Sequence, residues 1–364
     1  MFKNYYKNKR VLVTGHTGFK GSWLALWLLE LGAKVAGFSA YLPSEPCNFE
    51  VLGLKQQIEH YEGDIRNFHE LSQVVDDFKP QVVFHLAAQS IVRRSYDEPK
   101  LTFDTNLGGT VNILECIRQD DFIEAAVIIT SDKCYKNVEW VWGYREHDKL
   151  GGDDPYSASK GCAEIAINSY CQCYFNREKT VNIASTRAGN VIGGGDWAED
   201  RIVPDAVRAW SKGEPIIIRN PRATRPWQHV LEPLSGYLWL GVLLGNDELQ
   251  SGEAFNFGPK ADVIQPVSIL IDTFKKHWSK AQWKVEGHDS IKKESGLLKL
   301  CCDKALSLLN WKAILSFEES VELTAIWYKK FYKNAENMFE FSKQQIEQYC
   351  SLAKNKGIKW VKTK

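Results

Sequence analysis

Residues 10–21 read "RVLVTGHTGFKG", and this stretch decides the fold. An apolar, β-branched run ends in three glycines spaced three apart, and a helical pattern begins at the last of them. Glycines at this point let the backbone turn tightly and approach a pyrophosphate, which then lies on the N–H groups at the helix N-terminus. The stretch predicts a dinucleotide-binding turn formed by Gly15, Thr17, Gly18, Phe19, Lys20 and Gly21. A P-loop is disfavoured because no G-K-[ST] follows.

Short apolar runs alternate with helical patterns from here to residue 187. We predict strands at 10–15, 33–39, 81–88, 125–131 and 180–187. The runs show little alternation of polar and apolar residues, which is typical of parallel strands covered by helices on both faces. The expected fold class is therefore α/β, with a Rossmann-type doubly wound parallel sheet.

The pattern changes after residue 187. Clusters of Gly, Pro and Trp such as "GNVIGGGDW" and "NPRATRPWQHV" replace the regular alternation, and mixed short elements follow. We predict a dinucleotide-binding domain over 1–187, rejoined by about 231–259, and a smaller mixed domain over most of 188–364. No polar linker separates the two, so we expect them to pack around a cleft.

Composition excludes several classes of function. The chain has 364 residues, 46 basic and 45 acidic side chains and a net charge of +1, so no basic surface favours nucleic acid or a membrane. No apolar stretch reaches the roughly 18 residues of a membrane span, and no signal-peptide pattern opens the sequence. The nine cysteines include no C-x-x-C pair, so neither a metal site nor a disulfide framework is predicted. We expect a cytoplasmic protein with reduced thiols.

Two segments carry residues suited to acid–base chemistry. "PYSASK" places Tyr156 and Lys160 one helical turn apart, where a lysine ammonium is expected to lower the pKa of the phenol. "IITSDK" ends an apolar strand with Ser131, Asp132 and Lys133. The alternative for this second segment is a solvated Asp–Lys pair on a surface loop. A bare Y-x-x-x-K pattern is weak evidence, because residues 5–9 match it too.

The second strand ends without the acidic residue that would hold an adenosine ribose 2′-hydroxyl. Phe38 and Ser39 lie at that place, and the next acid is Glu45. Lys20 or another base is a candidate for a 2′-phosphate. The sequence therefore leaves NAD and NADP open.

Taken together, these motifs resemble the extended short-chain dehydrogenase/reductases that modify nucleotide sugars. The resemblance covers most of the chain, through the glycine turn, "GDIRN", "HLAAQS", Asn106, "PYSASK", "RAGNVIG", "RPWQHV" and "FNFG". It implies a Rossmann domain with a bound nicotinamide and a nucleotide sugar held by the second domain. The segments "TGHTGFKGSWL", "TSDKCY" and "RPWQHVLEP" resemble the 4,6-dehydratases that act on CDP-hexoses. A CDP-hexose is therefore the expected substrate, NAD the expected coenzyme, and deoxysugars of a surface polysaccharide the expected end product.

The resemblance also implies catalytic roles. Tyr156 takes the proton of the sugar 4-hydroxyl and Ser131 hydrogen-bonds the same oxygen. Asp132 is the acid that releases water from C6, and Lys133 is the base at C5, where the dTDP-glucose branch has a glutamate. A lysine acts as a base only when neutral, so we expect its pKa to fall from about 10.4.

Further site residues follow from the resemblance. The expected cofactor residues are Ser39, Asp64, Ile65, Leu86, Ala87, Ala88, Thr105, Tyr156 and Lys160. The expected substrate residues are Gln89, Ser90, Asn190, Arg219 and Arg225. Arginines suit a diphosphate because they bind oxyanions in a bidentate manner, although Arg219 and Arg222 are as compatible with solvated loops. Asn106 is expected to be structural, while Trp227 and His229 fit either the core or the site.

Three questions stay open at this point. A nucleotide-sugar 4-epimerase needs Tyr156 and Lys160 but no neighbouring acid–base pair, and a coenzyme-sensing protein without catalysis has no need of either. Trp140 and Trp142 lie in an insertion-like segment that either covers the active site or packs against the protein. Apolar helix faces beyond what one sheet covers, together with the family, imply a homodimer or homotetramer.

Overall fold

The structure is a computed structural model that describes residues 1–176, 181–260, 263–278, 281–285 and 297–362. The strands are β1 (Arg10–Thr14), β2 (Lys34–Ser39), β3 (Glu59–Glu62), β4 (Val82–His85), β5 (Ala125–Ile129), β6 (Asn182–Arg187), β7 (Val191–Ile192), β8 (Ile216–Ile218), β9 (Thr224–Arg225), β10 (Gln228–His229), β11 (Glu253–Asn256), β12 (Gln265–Pro266) and β13 (Trp283–Val285). The helices are α1 (Phe19–Glu30), α2 (Asn48–Val51), α3 (Phe68–Phe78), α4 (Val92–Asp97), α5 (Pro99–Phe103), α6 (Gly109–Gln119), α7 (Pro155–Tyr170), α8 (Ile202–Ser211), α9 (Leu231–Gly245), α10 (Val267–Lys275), α11 (Asp303–Leu309), α12 (Phe317–Lys333) and α13 (Met338–Asn355).

Seven strands form the central sheet, in the order β11-β6-β5-β4-β1-β2-β3, and every neighbouring pair is parallel. The strand order reverses between β1 and β4, and ligands of such sheets bind at the carboxyl ends of the strands beside this switch point. The prediction of a Rossmann-type doubly wound sheet is confirmed. β11 pairs with β6, although the domain boundaries stay a prediction.

The elements at the centre of the fold are apolar on all sides, which explains why they are buried. β1 and β4 are buried on both faces, and α1 is buried around nearly its whole circumference, with Trp23 and Trp27 fully inside. The Trp23 indole donates to the Gly194 carbonyl at 2.8 Å, which ties α1 to the second half of the chain. α9 is likewise apolar all round and packs on β5 and β6.

Two features differ from the sequence prediction. The sequence analysis did not predict strand β3 (Glu59–Glu62). Its residues are mostly charged or polar and only partly buried, because β3 is an edge strand that pairs with β2 alone among the described strands. A π-helical turn at Asp104–Gly108, which no sequence pattern predicted, separates α5 from α6. Thr180, the first residue of the predicted strand 180–187, lies outside the described residues.

The second half of the chain is less regular. Its short strands pair as β7 with β10, β9 with β12 and β8 with β13, and long helices α12 and α13 close one side. Among the described residues, no helix is long and apolar enough to cross a membrane, and no group of acidic, His or Cys side chains has the geometry of a metal site. All nine cysteines fall within the described ranges as unpaired thiols.

Candidate active site

The glycine turn after β1 has the shape that a dinucleotide requires. Gly15 has φ +73°, and a Cβ there would lie 2.7 Å from the Ala87 nitrogen. A Cβ on Gly21 would lie 2.2 Å from the Gly15 oxygen. Gly18 caps α1 and has no side chain to cover the N–H groups of the first turn. The turn therefore fits a pyrophosphate on the helix N-terminus.

Small polar groups occupy the end of β2. The Thr17 and Ser39 hydroxyls lie 2.7 Å apart, and Thr17 also donates to the Tyr41 carbonyl at 2.8 Å. A cavity of about 380 Å³ opens beside them and extends to His60 and Glu62 at the end of β3. This is the position expected for the adenosine end of the cofactor.

The other expected cofactor residues lie around the same edge of the sheet. Arg66 donates to both carboxylate oxygens of Asp64 and holds the pKa of that group below its usual value. Ile65 is buried against Gly109. The half-buried residues Leu86, Ala87 and Ala88 follow β4, and Thr105 lies half-buried in the π-helical turn.

Ser131 is the centre of the catalytic group. It lies two residues beyond the end of strand β5, and its side chain caps the short 3-10 turn Asp132–Cys134. Its hydroxyl donates to Asp132 Oδ1 at 3.0 Å and accepts the Lys133 N–H at 3.2 Å, and its proximity lowers the pKa of Tyr156. The fold therefore joins the two segments singled out in the sequence, and Ser131, Asp132, Tyr156 and Lys160 are all buried.

α7 brings Tyr156 and Lys160 to this point. The helix begins at Pro155, and the Asp154 side chain caps it by accepting the Ser157 N–H at 2.9 Å. Pro is favoured at the first helical position because its missing N–H would be unpaired there. Tyr156 thus lies on the capped first turn of α7, and Lys160 lies on the turn that follows.

The pKa of Tyr156 corrects one expectation. Burial raises it to about 12, and the Ser131 hydrogen bond opposes this only in part. Burial lowers the pKa of Lys160 to about 8, against the pull of Glu164. Burial is therefore the dominant effect on the phenol, and it opposes the lowering of its pKa that the sequence suggested.

Lys20, in the first turn of α1, interacts electrostatically with charges from both halves of the chain. Its pKa is lowered to about 8, mainly by burial and then by the Arg201 charge, while the Asp132 charge opposes the shift and the Lys160 charge adds to it. The role of Lys20 toward a 2′-phosphate stays a prediction. Arg201, which sequence reasoning missed, pairs with Asp196 at 2.9 Å. No motif marks Arg201.

Asp132 packs tightly against the start of the second half of the chain. A Cβ on Gly189 would lie 1.9 Å from Asp132 Oδ2. Asp132 also lines a small cleft whose other walls are Gly189, Pro226, Gln228, Gly258, Pro259, Lys260, Ile264, Lys299 and Leu300. Lys133 is half-buried, and its role as a base stays a prediction.

The expected substrate residues divide into two groups. Asn190 has φ +51° and its carbonyl accepts the Gln228 N–H at 3.2 Å, beside the small cleft. Arg225 lies on β9, next to the cleft residue Pro226, and donates to the Thr224 carbonyl at 2.9 Å. Arg219 is 39% exposed and contacts Asp200 at 3.4 Å.

The loop after β4 is more self-contained than expected. The Gln89 side chain donates to the Ile91 carbonyl and Thr102 hydroxyl and accepts the Ile91 N–H, so both donor hydrogens are used and only a second bond to its Oε1 is left for a substrate. Ser90 is exposed. Asn106 bonds the Gln89 main chain in both directions and the Ser159 hydroxyl, which is a structural arrangement.

The aromatic residues in question lie mostly in the core. Trp227 donates to the Gln265 carbonyl, and His229 is fully buried with its pKa lowered to about 3 by burial. Trp140 stacks on Tyr144 with ring centroids 5.0 Å apart, and Trp142 is 68% exposed. Trp140 therefore packs its loop down. Arg222 is exposed.

A family model described as GDP-mannose 4,6 dehydratase matches residues 12–324. The protein belongs to this family. Its membership is consistent with the juxtaposed Ser131, Asp132, Tyr156 and Lys160, and it places the chain among the extended short-chain dehydrogenase/reductases.

Individual relatives narrow this placement. A CDP-glucose 4,6-dehydratase of Salmonella typhimurium is 46% identical over 96% of this chain and 98% of its own length. An epimerase structure from Methanothermobacter thermautotrophicus has a TM-score of 0.79 at 25% identity, covering 92% of this chain and 96% of its own. A dTDP-glucose 4,6-dehydratase of Bacillus anthracis in complex with NAD has a TM-score of 0.72 at 22% identity, covering 91% and 99%. The protein is thus similar over nearly its full length to a nucleotide-sugar hydro-lyase.

Proposed function

We propose that this protein is a CDP-glucose 4,6-dehydratase, which converts CDP-glucose to CDP-4-keto-6-deoxyglucose and water. The observation that carries the proposal is the position of Ser131 between Asp132, to which it donates at 3.0 Å, and Tyr156, whose pKa it lowers. It puts an acid–base group beside the pair that oxidises a hydroxyl, and an epimerase needs only the latter. The 46% identity to a CDP-glucose 4,6-dehydratase supports the same substrate.

NAD is the proposed cofactor, because the glycine turn fits a pyrophosphate. Gly15 to Gly21 would hold the pyrophosphate, and Thr17, Ser39 and Asp64 would lie toward the adenosine. When bound, the nicotinamide would accept a hydride from C4 of the hexose and return it to C6. An oxidised nicotinamide also brings positive charge, which lowers the pKa of a neighbouring phenol.

The protein's own groups would handle the protons. Tyr156 takes the proton of the 4-hydroxyl while Ser131 hydrogen-bonds the same oxygen. The resulting 4-ketone acidifies the C5–H bond, and Lys133 removes that proton. Asp132 protonates the C6 hydroxyl as the C6–O bond breaks, so that water leaves and a C5–C6 double bond forms. A proton returned to C5 completes the product.

The remaining assignments are proposals as well. The residues after 187 would hold the CDP group, with Asn190, Arg225 and Arg219 near its phosphates. We propose a homodimer or homotetramer in the cytoplasm that supplies deoxysugars for a surface polysaccharide. Ile165 on α7 is 60% exposed, and Tyr174 just after α7 is 40% exposed. Both suit a contact between subunits.

The test is a panel of CDP-, dTDP-, GDP- and UDP-hexoses incubated with the purified protein, with and without added NAD or NADP, and analysed by product mass. We expect CDP-glucose alone to lose one water with no net reduction of coenzyme. Loss of water from another nucleotide hexose would overturn the assigned nucleotide. Unchanged mass with an inverted C4 would make the protein an epimerase.

A further inference from the structure

Asn256, the last residue of β11, joins three separate segments of the chain. It is fully buried. Its Oδ1 accepts from the Tyr135 hydroxyl at 2.8 Å, and its Nδ2 donates to the Tyr144 carbonyl at 2.8 Å and the Cys301 carbonyl at 3.1 Å. Its main-chain N–H donates to Glu146 at 2.9 Å. The whole side-chain amide is therefore used in fixing other segments.

The first of these segments carries the catalytic residues. Tyr135 follows Asp132 by three residues and is 1% exposed. Its hydroxyl accepts from Arg187 at 2.7 Å while donating to Asn256. Arg187 is held in turn by a buried ion pair with Glu164 at 2.8 Å. Tyr135 therefore ends the catalytic segment on a rigid, fully bonded support.

The other two segments are hydrogen-bonded to each other next to residues that line the same small cleft as Asp132. The Tyr144 N–H donates to the Lys299 carbonyl at 2.9 Å, and the Cys301 N–H donates to the Tyr144 carbonyl at 2.9 Å. The rings of Tyr135 and Tyr144 are stacked with centroids 5.2 Å apart. Lys299 and Leu300 line this cleft opposite Asp132.

We propose that Tyr135 and Asn256 are positioning residues that hold Asp132 and Lys133 at a fixed distance from the cleft wall formed by Lys299 and Leu300. This inference rests on the proposed function and assigns two residues to it that do not touch the substrate. Each bond is buried, so losing one partner leaves an unpaired polar group and forces the segments to shift. A displacement of about 1 Å at reacting groups costs about 10²-fold in rate.

The elimination of water is the step that should respond. Asp132 and Lys133 lie on the segment that Tyr135 anchors, whereas Tyr156 and Lys160 lie on α7 with its own Asp154 cap. Loss of the Tyr135 hydroxyl therefore disturbs proton transfer at C5 and C6 more than oxidation at C4.

The experiment compares Tyr135→Phe with Tyr6→Phe. The Tyr6 hydroxyl is equally buried and donates to the Leu238 carbonyl at 2.6 Å, away from the catalytic segment. Both variants lose one buried hydroxyl and keep the ring. We expect Tyr135→Phe to lower kcat by about 10- to 10²-fold, with KM nearly unchanged and reduced nicotinamide accumulating during turnover. Tyr6→Phe should lower Tm to a similar extent and leave kcat unchanged. Equal kcat in the two variants would overturn the inference.

A second measurement does not depend on the substrate. Hydrogen–deuterium exchange should rise in peptides covering 131–135 and 298–302 in Tyr135→Phe and Asn256→Asp, and stay at the wild-type level in Tyr6→Phe. Unchanged exchange in both segments would contradict the positioning role. If the wild-type protein leaves CDP-glucose intact, the proposed function fails, and the same pair of variants is compared by exchange and on the nucleotide hexose that is turned over.

Discussion

Two groups of residues are proposed to act around one cleft: the candidate catalytic groups that follow β5, and the arginines of residues 219–225. They differ in how deeply they are buried and how firmly they are held. Ser131, Asp132 and Lys160 are buried, and Ser131 is bonded to both of its neighbours in the site. Arg219 is 39% exposed and contacts Asp200 at 3.4 Å, and Arg222 is exposed. If these residues act as proposed, the chemical groups are positioned before substrate arrives, and we expect the arginines to be ordered by the substrate, at a cost in side-chain entropy.

Replacing Tyr156 by Phe should give the largest effect, because it removes the group that takes the 4-hydroxyl proton. We expect kcat to fall by about 10⁴-fold, with the affinity for CDP within about twofold of wild type. Steady-state kinetics and calorimetric titration with CDP measure the two quantities. Wild-type affinity for CDP with no turnover would support separate groups for chemistry and for recognition. A loss of both kcat and CDP affinity would contradict that separation.

Asp132→Asn and Lys133→Met should stop the reaction part-way. Each is expected to lower kcat by about 10³-fold, while C4 oxidation continues and the bound nicotinamide becomes reduced. Lys136→Met is the matched control, because Lys136 lies three residues further along the chain and is paired with Asp153. Full activity of Lys133→Met would show that another group removes the C5 proton.

Glu232 tests whether burial tunes a pKa outside the site as it does inside. Burial raises the pKa of this carboxyl to about 7 although it accepts the Ile314 and Leu315 N–H groups and the Tyr349 hydroxyl. Between the unfolded pKa of about 4.5 and 7 the folded state binds more protons, so stability falls as pH rises through this window.

Glu232→Gln should therefore be more stable than wild type at pH 8, by up to about 3 kcal/mol, with the difference shrinking toward pH 5. Urea unfolding at the two pH values measures this, and kcat should not change. A difference in stability that is the same at both pH values would show that Glu232 does not titrate in this range.

The arginines should give the smallest effects, expressed in KM. Arg225→Lys keeps the charge and loses bidentate geometry, so KM for CDP-glucose should rise about tenfold with kcat nearly constant. For Arg219→Lys, on the exposed side, we expect about a twofold rise. A large fall in kcat for either variant would mean that these loops also position the reacting groups.

Short sequence motifs were enough to predict much of the fold and the candidate chemical groups. The glycine turn, Ser131 to Lys133 and the Tyr156–Lys160 spacing are each set within a few residues, so the sequence alone predicted these segments, and the fold brings the last two together. Edge strand β3 was not predicted because its side chains are mostly charged or polar. The pKa of Tyr156 was predicted in the wrong direction because burial, a property of the whole fold, outweighs a neighbour four residues away.

Long-range partners could not be predicted in the same way. Asn256 lies 121 residues from Tyr135 in the chain, and nothing in "FNFG" indicates which segments its amide joins. Arg201 reaches the catalytic groups only because the loop before α8 folds back beside α1. The charges that act on Lys20, those of Arg201 and Asp132, likewise come from distant parts of the chain.

The most direct test of the central claim is the product formed from CDP-glucose in deuterated water, analysed by mass spectrometry and by NMR. The account predicts loss of one water, one deuterium at C5 and no net change in coenzyme, because a base of the protein exchanges the C5 proton while hydride moves within the complex. A product of unchanged mass with no deuterium at C5 would contradict it and leave Asp132 and Lys133 without a catalytic role.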